Sequence, residues 1–181
     1  MSAFGIQWYT VAHLGVGAQA DALYAGGTLP QIATAFLMEP LGFVLIPFLS
    51  SKTEADRDRA GWPLLCAIAA VSSIVALLLF LVAPIAVPLL APGLAASTAA
   101  LTVELAQIQA VGVIGAGCGI VLMSLSQAKG RFVWPALTVL LCTCGGWGLL
   151  VVGLDRWGVQ LAAWVQVAIV TGPVLLQLPV L

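Results

Sequence analysis

The chain has 181 residues, 62% of them hydrophobic and only 7% charged, against roughly 25% charged in a soluble domain. Six Lys/Arg and seven Asp/Glu cannot coat a water-facing surface. Their net charge of -1 excludes a nucleic-acid footprint. A helix needs about 20 apolar residues to cross a bilayer, which leaves room for about six or seven crossings.

Charges punctuate the sequence, and the unbroken apolar stretches between them predict six helical segments. The first, 3–14, is too short to cross alone and reads as the tail of a span. The second, 22–50, is interrupted by Pro30, Glu39-Pro40 and Pro47. The third, 62–90, is rich in Leu, Ala, Val and Ile and carries Pro84 and Pro88 near its end. The fourth covers 101–127, the fifth 132–154 and the sixth 159–178. At 1.5 Å per residue the second and third exceed the bilayer thickness, so they must tilt, kink or protrude. The fold class expected is an all-α integral membrane bundle forming a single lobe over 1–181.

Orientation follows from the distribution of Lys and Arg in the short loops. Lys52, Arg57 and Arg59 fall in one predicted loop, Lys129 and Arg131 in another two crossings away, and Arg156 alone on the opposite side. Both termini are therefore expected in the cytoplasm. The mixed run from Lys52 to Arg59 is most simply a solvated loop. The start lacks the basic region of a cleaved leader, because the first Lys or Arg is Lys52.

Polar residues inside the spans are the candidates for function, since an ionisable group at mid-helix costs about 2.5–3.5 kcal/mol and usually meets a cavity or a partner. Glu39 lies near the middle of the second span, before a proline that invites a kink. At 100° per residue Asp21, Thr28, Gln31 and Glu39 share an arc of roughly 80°. Glu39 is either protonated and hydrogen-bonded between helices or part of a cavity wall, and the shared stripe speaks for the cavity. Asp21 at the head of its helix and Glu104 near the head of the fourth span also suit the helix dipole. Gly112, Gly115 and Gly119 follow helical spacing with Glu104 and Ile108, a smooth face on which another helix can pack closely.

Other motifs carry no chemistry. The glycines between Gly115 and Gly119 follow no strand and are no phosphate loop. His13 near a membrane boundary reads as an interfacial hydrogen-bonding residue. Cys66, Cys118, Cys142 and Cys144 lie in apolar stretches, and the Cys142-Thr143-Cys144 spacing fits neither a redox pair nor a metal site. With no catalytic triad or paired carboxylates, neither an enzyme nor a cofactor is expected.

Several local strings resemble, in order, the amino-terminal half of the lipid II flippase family, also called MurJ or MviN, within the multidrug and lipid-linked oligosaccharide exporters. GVGAQADALY at 15–24 is similar to the family's FGA…DAFF stretch, Leu29-Pro30 and Glu39 match its second helix, and Pro47 matches the end of that helix. LAPG at 90–93, Gly130-Arg131-Phe132 with Pro135-Ala136-Leu137, and Gln177-Leu178-Pro179 correspond to strings after its third, before its fifth and after its sixth helix. The resemblance implies a six-helix lobe of a two-lobed transporter that works by alternating access in the bacterial cytoplasmic membrane. Its cargo would be a lipid-linked sugar diphosphate for cell-wall synthesis. Family members place arginines in the first two helices, where this chain has Ile6, Thr34 and Ala35, and an Asn where it has Gln31. Met1 falls inside the family's first helix and no second lobe follows, so a fragment, or half a transporter completed by a second lobe or by homodimerisation, is expected. Two other functions fit the same residues: a non-transporting scaffold for envelope-synthesis partners, and a cation-coupled antiporter using Glu39.

Overall fold

The computed structural model describes residues 8–13, 15 and 17–178, and of residue 39 the backbone. The described residues form an all-α bundle with no strand. Residues 8–13 are helical (α1) and are followed by α2 (Ala18–Ala33), a π turn at Thr34–Met38 and α3 (Glu39–Ser50). Then come α4 (Glu54–Leu90), α5 (Ala96–Ala110), α6 (Gly112–Ala128) and α7 (Val133–Gln177). Four helical runs are long and apolar enough to cross a membrane: Ala18–Ser50, Glu54–Leu90, Ala96–Ala128 and Val133–Gln177.

The fourth run is a hairpin. Its 45 residues would extend roughly 68 Å as one rod, twice the hydrocarbon thickness. Gly158, at φ 61° and ψ −154°, breaks it. The second arm returns along the first: Gln177 Nε2 donates to Thr138 Oγ1 at 3.0 Å, and Gly172 meets Cys142 and Gly146 meets Ile169 in between. Gly158 holds a backbone region that is essentially closed to residues with a Cβ. Gly158→Ala should therefore lower stability by about 1–3 kcal/mol. Gly145→Ala, whose added Cβ meets nothing within 4 Å, should be neutral. Thermal unfolding of the two variants in detergent gives the comparison.

Two spans change helical pitch at their centres. Pro40 offers no N–H to the carbonyl of Phe36, and the chain widens into the π turn just before it. α5 and α6 instead join through a tightened turn, in which Val111 N bonds Ile108 O and Ile114 N bonds Val111 O, both at 3.2 Å. Thr34 and Gly112 are the central residues of the two 33-residue runs, so both irregularities lie at the same depth.

Helix starts differ from the predicted spans because hydropathy marks the membrane whereas capping marks the helix. α4 begins at Glu54, not at residue 62: Thr53 caps it by accepting from Asp56 N at 3.3 Å, and Glu54 and Asp56 complement its dipole. The charged run thus forms the first turns of a helix rather than a solvated loop, and Arg57 within it is buried. Asp21 lies in the first turn of α2, whose N-cap is Gly17. Because α5 begins at Ala96, Glu104 sits in its third turn, where its carboxylate accepts from Gln160 Nε2 at 2.7 Å. Of the predicted first span only 8–13 are described, with Tyr9 stacked on His13 at 4.1 Å and edge-on to Trp147 at 6.0 Å.

The core runs through the bundle in apolar clusters. Leu23, Leu105, Leu150, Leu154 and Ala163 pack near one end, and Leu49, Leu65, Val121, Leu122 and Leu125 near the other. The outer faces carry exposed Leu78, Leu81, Ile85, Leu89 and Val152, as a lipid-facing surface requires. Trp62 and Trp134 are exposed near one end and Trp157 near the other, the pattern of aromatic belts.

Candidate functional site

The end of α2 with the π turn, the junction of α5 and α6, and the middle of the second arm of α7 do not close on one another. They enclose a cavity of about 440 Å³ lined by Gly27, Pro30, Gln31, Thr34, Ala35, Gln109, Gly112, Val113, Ala116, Gln166, Val167 and Val170. Thr34 and Gly112 are the central residues of their runs and residues 166–170 lie in the middle of the second arm of α7, so the cavity lies midway along the bundle. Its polar groups are three amides and a hydroxyl. Gln109 Nε2 donates to Leu23 O at 3.1 Å, tying α5 to α2, and Thr34 Oγ1 donates to Pro30 O at 2.9 Å. Gln31 and Ala35 are exposed, so the cavity opens sideways.

The predicted stripe divides. Gln31 lines the cavity, whereas Asp21 and Thr28 are exposed and Thr28 Oγ1 donates to its own helix at Tyr24 O, 3.1 Å away. The side chain of Glu39 lies outside the described residues. The π turn adds a residue to the turn ahead of it, so the phase that places position 39 above position 21 in a regular helix does not carry across. Gly112, Gly115 and Gly119 face the second arm of α7, at Val167, Thr171 and Val174 respectively. Gly112 also borders the cavity.

Gln109 and Gln166 escape a search for ionisable groups, although an amide inside an apolar run is itself a signal. Gln107 shows why that signal is ambiguous. It points away from the cavity and donates to Phe80 O at 3.2 Å, a carbonyl left without its helical donor by Pro84.

At one end of the bundle the predicted loop charges converge. Arg57, Lys129 and Arg131 border a depression of about 190 Å³ with Glu54 and Asp58. Arg57 donates to the carbonyls of Leu49, Ala128 and Lys52 at 3.0, 2.9 and 3.2 Å. Lys129 Nζ pairs with Asp58 Oδ1 at 2.9 Å, an exposed bridge that solvent screens. Lys52 lies 4.6 Å from the Phe48 ring centroid, and Arg59 is exposed. Among the described residues no group of His, Cys, Asp and Glu could hold a metal ion.

An apolar helical bundle with a few polar side chains in a largely apolar cavity between its helices is an arrangement that membrane transporters use. The family model described as Lipid II flippase MurJ matches residues 10–181. The chain belongs to that family. Neither curated proteins nor solved structures gave a match. MurJ membership and the four long apolar runs make the chain a flippase-type protein of a bacterial inner membrane.

Proposed function

We propose that the chain is one lobe of a flippase that carries a lipid-linked sugar diphosphate across the cytoplasmic membrane by alternating access, the cavity forming one wall of the route. The observation that carries this reading is the position of Gln31, Thr34, Gln109 and Gln166 at mid-depth. Polar groups there are expensive unless they face a polar ligand or water. The π turn and the tightened turn at Val111 lie beside the cavity and give α2–α3 and α5–α6 a place to bend. The distribution of Lys and Arg supports a cytoplasmic charged end, and the six segments expected from the sequence would put both termini on that side.

The sideways opening calls for a second wall, because an exposed Gln31 at this depth is poorly matched to hydrocarbon. A second lobe or a second copy of the chain provides it, with no covalent chemistry and no cofactor. Vesicles reconstituted with the protein should move a fluorescent lipid-linked substrate from one leaflet to the other. Gln31→Leu should slow that movement by about tenfold, the value of one hydrogen bond of roughly 1.4 kcal/mol. Unchanged transport in Gln31→Leu would remove the cavity from the route.

A further inference from the structure

The cavity has a polarity as well as a position. The amide of Gln109 is oriented by its bond to Leu23 O, since only the NH₂ group can donate to a carbonyl. Its Oε1 is therefore the acceptor end of an amide that lines the cavity. That oxygen lies against α2, where a Cβ on Gly27 would approach it to 2.6 Å. A fixed carbonyl oxygen attracts hydroxyl and N–H donors and repels phosphate oxygens.

The surroundings do not reverse that preference. No Lys or Arg occurs at 1–51, 60–128, 132–155 or 157–181, so every predicted span lacks a fixed cation, and the single histidine is His13. Lys129 lies roughly 20 Å of helix beyond Ala116 at the cavity wall, and it pairs with Asp58. Placing a diphosphate beside Gln109 would desolvate two negative charges with no countercharge from this chain. Amides, by contrast, match uncharged polar groups without that penalty.

We infer that the half-site on this lobe takes an uncharged, donor-bearing part of the lipid-linked substrate, a sugar hydroxyl or a peptide amide, and leaves the diphosphate to be held elsewhere. The inference rests on the transport reading above, and the test separates the two. Three probes are titrated onto the full chain in nanodiscs: a polyprenyl diphosphate, the same lipid bearing a disaccharide, and the same lipid bearing disaccharide and peptide. Affinity should rise when the uncharged groups are added. A rise with the sugar assigns the donor to its hydroxyls, and a rise only with the peptide assigns it to amide N–H groups.

Gln109→Met should remove about 3- to 10-fold of that gain, read as the ratio of the affinity for the sugar-bearing lipid to that for the bare lipid. A loss that came only from weakened packing of α5 on α2 would lower all three affinities together and leave their ratios intact. Gln166→Leu gives a second reading of the same ratio should Gln109→Met fail to fold. Equal affinities for all three probes in the native chain, or ratios unmoved by both variants, would overturn the inference and spare the transport reading. Failure of every probe to bind would overturn both.

Discussion

Replacing Arg57 with alanine is expected to lower the stability of the bundle by about 3 kcal/mol, with Arg57→Lys recovering less than half of the loss. The guanidinium sits where α3 and α6 both end, so carbonyls of their last turns point at it, that of Leu49 also accepting from Lys52 N at 3.3 Å. Two helix dipoles place their negative ends at the same spot. Hydrogen bonds to a charged group are worth about 1.5–3 kcal/mol each. Rehydration of the freed carbonyls near the membrane surface offsets part of the sum. A lysine ammonium carries the charge but not the planar fork that reaches Leu49, Ala128 and Lys52 together. Reversible unfolding in mixed micelles, followed by far-UV circular dichroism, measures both variants. A loss below about 1 kcal/mol in Arg57→Ala, the range of exposed ion pairs, would make Arg57 an ordinary surface charge.

Along the α6–α7 contact, Gly115→Ala is expected to be destabilising by about 1–3 kcal/mol, whereas Gly112→Ala and Gly119→Ala should be close to neutral. A Cβ at position 115 would meet the Thr171 hydroxyl and lie 2.9 Å from Thr171 Cα, a backbone atom that moves only if the second arm of α7 moves. At positions 112 and 119 the same Cβ would find Val167 Cγ2 and Val174 Cγ2 at 3.7 Å, ordinary van der Waals contact. The three glycines look equivalent in sequence and differ sharply in space. Unfolding of the three alanine variants in one detergent decides the matter, and equal effects at all three would contradict the packing described. Gly115→Leu should prevent the arm from docking, detected as faster proteolysis of α7.

The fold was largely legible because charges and apolar lengths encode membrane crossing directly. Helix starts were not: the first turns of α4 are polar yet helical, and Thr53 with its acidic neighbours marks that start better than hydropathy does. The burial of Arg57 depends on carbonyls 8 and 71 residues away, which no local pattern contains. Within the cavity Gln31 was found through helical phase. Gln109 and Gln166 were not, since each is a single polar residue in a distant run and only packing brings them beside α2. The phase of Glu39 depended on an unbroken α-helix, which the π turn ahead of Pro40 interrupts.

The hairpin of α7 also bears on how the protein enters its membrane. Its two arms contact each other along their lengths, and their turn exposes one acidic and one basic residue, Asp155 and Arg156, beside Trp157. On the orientation proposed above, the segment to be translocated is a compact turn of zero formal charge instead of a hydrophilic loop. The arms can pass into the bilayer as one preassembled unit, each burying polar groups of the other, such as Thr138 against Gln177. The tighter the turn that Gly158 permits, the less polar backbone would have to be drawn through the hydrocarbon.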